Sequence, residues 1–256
     1  MRVPRTRRLA LGLLASVVLF GFAGSGCRSR SEPSRRTAIP DIDAAAGSHH
    51  HFIVLLGSST SAGTGPKDPD NAWAERYASY LERHFPDFQL VNLAVGGQTT
   101  YHIQPTGFVP PPHRPPPAPG KNITAALSIG PRALIVNLPS NDSAANVPAE
   151  EQLRNLERVA NLAYAQHVPL WVSTTQPVDF GAASQRHVQS TMRQRILERF
   201  APRALDFWAP FATAEHKIKS EFNAGDGVHL NDAAHALLAD IVIAARLPET
   251  IHGVMP

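Results

Sequence analysis

The sequence predicts an α/β fold built on a central, mostly parallel five-stranded sheet. Two observations carry that prediction. From Phe52 onward, short apolar runs rich in β-branched residues alternate with longer segments of helical periodicity, and several of the runs open into turns of Gly, Ser, Asn or Asp. The chain has 256 residues, 43% of them apolar, enough to bury the core of one such domain.

The elements follow in order. Residues 1–26 read as an export signal: a basic start (MRVPRTRR), an apolar run over 9–22 too short for a comfortable bilayer span, then small residues up to Cys27. Cys27 is the single cysteine, so no disulfide can form within the chain. Its place at the cleavage boundary resembles a bacterial lipobox, in which Ser25 and Gly26 fit and Gly24 departs from the usual Leu. Lipidation of Cys27 and a membrane-anchored, extracytoplasmic protein are the expectation. An ordinary secretory signal with an incidental Cys is the alternative, and Arg7-Arg8 leaves twin-arginine export open.

Residues 27–50 lack periodicity and are expected to form a flexible tether. The histidines at 49–51 have no acidic or Cys partners nearby and read as linker rather than a metal tract. The catalytic domain is expected over 51–250, with strands at 52–56, 90–93, 133–138, 170–174 and weakly at 204–207. Helices are expected at 72–84, 150–166, 184–200 and 231–246, the last capped by Asn231 with Asp232 in its first turn. The proline-dense segment 104–121 excludes helix and central strand and is expected to be a surface loop, either a partly rigid wall or lid over a substrate cleft or a solvated insert.

Charge narrows the function classes. The formal net charge is +3, yet residues 1–36 hold eight Arg against Glu32 alone; without them 16 basic face 20 acidic residues, a net of −4. Nothing clusters Lys and Arg as phosphate-backbone binding requires, so nucleic acid is not expected as a partner.

Four turns carry the chemistry. The first strand runs into Gly57-Ser-Ser59-Thr-Ser-Ala-Gly63, at the sheet edge where open α/β folds bind ligands. A hydroxyl there can be a nucleophile, a phosphate ligand or a helix cap. No Gly-Lys-Ser/Thr follows, as a P-loop needs, and the elbow Gly-x-Ser-x-Gly is absent. The second turn, Asn92-Leu-Ala-Val-Gly-Gly97, pairs glycines after a strand. The third, Pro139-Ser-Asn141-Asp142, sets an amide beside a carboxylate, although Asn-Asp alone is ordinary turn chemistry. In the fourth, Asp226-Gly-Val-His229, the spacing lets the acid accept from Nδ1–H and leaves Nε2 to take a hydroxyl proton. The remaining histidines, His84, His167 and His235 among them, read as linker or surface residues.

Taken together and in this order, the four turns resemble the SGNH hydrolase (GDSL-like lipase/acylhydrolase/esterase) family over about residues 52–245. The resemblance implies a three-layer α/β/α sandwich of the flavodoxin-like type, and serine ester hydrolysis without cofactor or metal. It implies Ser59 as nucleophile, His229 as general base oriented by Asp226, and an oxyanion hole from the N–H groups of Ser59 and Gly97 and the Asn141 amide. The sequence departs from the family in Ser58, where the Gly-Asp-Ser motif has Asp, and in Pro139, where Gly-x-Asn-Asp has Gly. The expected substrate is a small-molecule or glycan ester, in particular short acyl groups on extracytoplasmic carbohydrate. An acyltransferase using a sugar hydroxyl as acceptor, and a non-catalytic binding lipoprotein retaining the fold, stay open.

Overall fold

The computed structural model describes residues 51–138 and 140–253. The expected signal segment, Cys27 and the whole of the expected tether lie outside the described residues.

Five strands form the sheet: β1 (His51–Gly57), β2 (Phe88–Asn92), β3 (Ala133–Asn137), β4 (Leu170–Ser173) and β5 (Ala204–Leu205). Their order is β2-β1-β3-β4-β5 and all four pairings are parallel. Register aligns Leu55 with Asn92 on one side of β1 and Gly57 with Asn137 on the other, so the carboxyl ends of β2, β1 and β3 come out side by side. The chain leaves β1 for β2 on one flank and returns to β3 on the other. Such a reversal marks the carboxyl edge between β1 and β3 as the usual ligand site of open α/β sheets.

Parallel strands need crossovers, and the helices α1 (Trp73–His84), α4 (Ala149–Ala165), α5 (Ala183–Phe200) and α6 (Asp232–Ala244) supply them or close the layers. Side chains of β1 alternate between two cores. Ile53 and Leu55 join Trp73, Tyr77 and Leu81 of α1 and Leu238 and Val242 of α6. Phe52, Val54 and Leu56 join Leu156 and Val159 of α4 and Met192 and Ile196 of α5. Because both faces are covered, the strands read as continuous apolar runs, and the result is the expected three-layer sandwich.

The structure adds three short helices, α2 (Ile123–Ser128), α3 (Ser140–Ala144) and α7 (Leu247–His252). Asn122 caps α2 by accepting from the Ala125 N–H, and Asn231 caps α6 by accepting from the Ala234 N–H. The weak fifth strand is shorter than expected, two residues, because the Phe207 N–H turns to the Thr174 side-chain oxygen (2.9 Å) instead of extending the ladder with β4. Among the described residues, no helix is long and apolar enough to cross a membrane.

Candidate active site

The turn after β1 closes on itself through Ala62 N–H to Ser58 O (2.9 Å) and Thr64 N–H to Ser59 O (2.9 Å). It is anchored from beneath by buried polar side chains at the strand ends. Ser61 Oγ donates to Asn137 Oδ1 (2.7 Å), Asn137 Nδ2 donates to Ser173 Oγ (2.6 Å), and Asn92 Nδ2 donates to the Ser61 carbonyl (2.7 Å). Gly57 is required by this arrangement: a Cβ on it would lie 2.5 Å from Ser61 Oγ. Gln176, from the loop after β4, donates to Thr60 Oγ1 (2.8 Å) and fixes the turn from the other side. Buried polar groups satisfied in this way rigidify the element that carries them.

Ser59 is thereby held half-buried at the carboxyl edge. His229 Nε2 lies 3.0 Å from Ser59 Oγ and His229 Nδ1 lies 2.6 Å from Asp226 Oδ2. The two loops meet across 170 residues of sequence. Asp226 Oδ1 also accepts from the N–H groups of Val228 (2.9 Å) and His229 (2.8 Å), an Asx-type turn that folds the carboxylate back onto the ring of its own loop. Burial acts to raise the Asp226 carboxyl, but the hydrogen bonds from His229 and Val228 outweigh it and hold the group below the usual carboxylate range.

The loop of Asp226 and His229 is secured by Asp179 and Asn223. Asp179 N–H donates to the Gly227 carbonyl (2.8 Å), and its Oδ1 accepts from the Ile218 N–H (2.7 Å). Asn223 Oδ1 accepts from the N–H groups of Gly225 (2.7 Å) and Gly227 (3.1 Å).

Gly97, on the loop after β2, has a φ of +83°, and a Cβ on it would meet nothing within 4 Å, so the space beside it is open. A Cβ on its neighbour Gly96 would be 3.8 Å from Ser59 Cβ. Among the described residues, the N–H groups of Ser59 and Gly97 have no intramolecular acceptor. Asn141 lies in the first turn of α3, and its Nδ2 donates one hydrogen to the Gln98 carbonyl (2.8 Å). An amide nitrogen carries two hydrogens, so a second stays available to a ligand. Pro139 lies outside the described residues. The turn expected at 139–142 is in fact the start of a helix, since Ala145 N–H reaches back to the Asn141 carbonyl (2.9 Å).

The structure therefore brings Ser59, Asp226 and His229 together and sets Gly97 on the loop after β2 and Asn141 on α3. Cys27 lies outside the described residues. Residues missed at the sequence level are the supports: Asn137, Ser173, Gln176, Asp179 and Thr100. Asn137 and Ser173 carried a readable signal, a polar residue ending an otherwise apolar strand. His235 corrects the surface reading. It is fully buried, its Nδ1 accepts from the Trp73 N–H (3.0 Å), and burial pushes its pKa down to about 4.

The proline-dense segment is ordered by packing. Tyr101 Oη donates to Glu151 Oε1, and Arg114 grips both Glu151 oxygens (2.6 and 3.1 Å). Ala118 N–H donates to the His102 carbonyl (2.8 Å), and the Arg158 guanidinium lies 4.6 Å from the Phe108 ring centre. Among the described residues, no group of three or more His, Cys, Asp or Glu converges on a metal position.

No curated protein matches the chain. Solved structures do. The psychrotrophic esterase EstA from Pseudoalteromonas sp. is 18% identical with a TM-score of 0.57, over 77% of this chain and 96% of that one. An acetyl xylan esterase, AlAXEase, is 15% identical with a TM-score of 0.56, over 76% and 98%. A two-domain esterase active on acetylated mannans is 19% identical with a TM-score of 0.53, over 81% of this chain and 51% of that one. At these identities the likeness is one of fold. The family model for the GDSL-like lipase/acylhydrolase family matches residues 55–237, from the end of β1 through all four motif turns into α6, and the chain belongs to that family of carboxylic ester hydrolases.

Proposed function

We propose that the protein cleaves esters through an acyl-enzyme on Ser59. The observation that carries this reading is the continuous path from Ser59 Oγ to His229 Nε2 (3.0 Å) and from His229 Nδ1 to Asp226 Oδ2 (2.6 Å). Nε2 takes the hydroxyl proton as Oγ attacks the ester carbonyl, and the Asp226 carboxylate, kept ionised by its hydrogen bonds, stabilises the imidazolium. The carbonyl π electrons move onto oxygen, where the N–H groups of Ser59 and Gly97 and the free hydrogen of the Asn141 amide receive the charge. Collapse expels the alcohol, protonated by His229. Water, deprotonated by the same ring, then attacks the acyl-enzyme and releases the acid.

We take water as the acceptor, in line with the esterases among the structures of the same fold. For the substrate we favour short acyl groups on carbohydrate, a choice supported by the acetylated-glycan esterases among the structures of the same fold. We also propose export and anchoring through a lipid on Cys27; a Cys27→Ser variant that remained with the membrane fraction would overturn that anchor.

The test is hydrolysis of p-nitrophenyl acetate, butyrate and octanoate, with fluorophosphonate labelling, by wild type, Ser59→Ala and His229→Ala. Hydrolysis and labelling that vanish in Ser59→Ala, with acetate the preferred ester, are expected. Folded wild-type protein that neither turns over nor is labelled would overturn the reading in favour of a binding protein.

A further inference from the structure

Gly97 and Asn141 follow strands that are not neighbours. In the order β2-β1-β3 the strand bearing Ser59 lies between theirs, so backbone pairing in the sheet does not set the loop after β2 against α3. Side chains do that above the sheet. Asn141 Nδ2 donates to the Gln98 carbonyl (2.8 Å). Close by on both segments, Asp142 accepts from Thr100 twice: the N–H on Oδ2 (2.8 Å) and Oγ1 on Oδ1 (2.7 Å).

Thr100 is held in turn by α4, where Asn155 Nδ2 donates to its Oγ1 (3.0 Å), and by Gln104 Nε2, which donates to its carbonyl (2.7 Å). Asp142 has no exposed surface, and burying a carboxyl group without full hydrogen bonding is costly. Its two bonds to Thr100 are what this site obtains from it.

We infer that Asp142 is a positioning residue for ester hydrolysis, clamping the Gly97–Thr100 loop to α3 so that the Gly97 N–H and the Asn141 amide keep one separation over Ser59. The inference rests on the oxyanion roles proposed for Gly97 and Asn141. The clamp tolerates loss of charge. With a proton on Oδ1, Asp142 donates to Thr100 Oγ1 while Oδ2 still accepts the N–H, and Asn at this position has the same donor and acceptor pattern.

The test is a double-mutant cycle on kcat and KM for p-nitrophenyl acetate. Asn141→Ala is expected to lower kcat by about 10²–10³-fold, as loss of one oxyanion donor does. Asp142→Ala is expected to lower kcat by about 10–100-fold with KM nearly unchanged, and Asp142→Asn to restore most of that loss. In Asp142→Ala/Asn141→Ala the two losses are not expected to multiply, because residues acting as one unit are non-additive. Multiplying losses, or an unchanged kcat in Asp142→Ala beside a normal loss in Asn141→Ala, would overturn the clamp alone. An inert Asn141→Ala would overturn the oxyanion assignment and the clamp with it. If Asp142→Ala does not fold, Thr100→Val carries the same cycle, with additivity or silence again counting against the clamp.

Discussion

A Cβ on Gly65 would lie 2.1 Å from the carbonyl oxygen of Leu230, so the loop behind the nucleophile and the loop bearing the imidazole meet backbone to backbone. Gly65 also has a φ of +123°, a region that side chains strain. Gly65→Ala is therefore expected to push Leu230 and its neighbour His229 away from Ser59. Displacements of about 1 Å at a reacting group can cost about 10²-fold. Kinetics should show at least a tenfold fall in kcat, and thermal unfolding a loss of about 1–3 kcal/mol. A variant with wild-type kcat would show that the contact does not set the position of His229.

Asp226→Asn tests the orientation of the ring. An amide can still accept the two backbone N–H bonds through Oδ1, but its nitrogen cannot accept from Nδ1–H, which favours the wrong tautomer. In a buried triad the corresponding change costs about 10⁴-fold in kcat. Here the carboxylate is half exposed and water can take its place in part, so a loss of about 10²–10³-fold is expected, measured on p-nitrophenyl acetate.

Two buried groups give the stability of the protein opposite dependences on pH. Burial raises the Asp142 carboxyl from 3.8 to about 7, against the Thr100 hydrogen bonds that lower it. Between those values the folded chain holds a proton that the unfolded chain has released, so this residue's contribution falls as pH rises from about 4 to 7. Burial lowers His235 from 6.5 to about 4, so the unfolded chain binds the extra proton there and this contribution is lost as pH falls from 6.5 to 4. The stability of Asp142→Asn relative to wild type should therefore improve from pH 4 to 7 and level off above. His235→Asn, whose Oδ1 can accept from the Trp73 N–H, should improve relative to wild type as pH falls through that lower window. Denaturant unfolding at pH 4, 5.5, 7 and 8 checks both, and parallel curves would refute them.

Glu151 joins Tyr101 and Arg114 and so fastens the proline-dense segment to the first turn of α4. In Glu151→Ala, hydrogen exchange should accelerate at the N–H groups of Arg114 and Ala118, whose acceptors are the Pro111 and His102 carbonyls. Protection equal to wild type would mean that the prolines alone hold the segment.

The strands were legible as apolar runs between turn residues, and α1 and α4 as helices from a regular apolar stripe, whereas α5 has hardly any such stripe and was legible from its length and its want of Gly and Pro. Periodicity did not reveal α2, α3 or α7, which have five or six residues each, too few to show an amphipathic pattern; among the described residues, of the three only α2 has a side-chain cap, Asn122. The residues expected to react could be read because each sits at a strand end or in a short loop, in a recognisable order. Of their supports, Asn137 and Ser173 left a signal as polar ends of apolar strands, but Thr100 and Asp179 look like any polar loop residues until the fold sets them against Asp142 and the Gly227 loop. His235 misled for the converse reason, a polar residue on α6 that the fold turns inward to meet the backbone of Trp73.

β1 sets the distance between the start of the described chain and Ser59. β1 begins at His51 and delivers the chain to Ser59 after seven residues of strand, about 20 Å at the rise of an extended chain. His51 therefore lies at the end of the sheet opposite the catalytic loops. The point where β1 starts and the turn that carries the nucleophile are thus separated by the full height of the sheet, with the two apolar cores packed on either face between them.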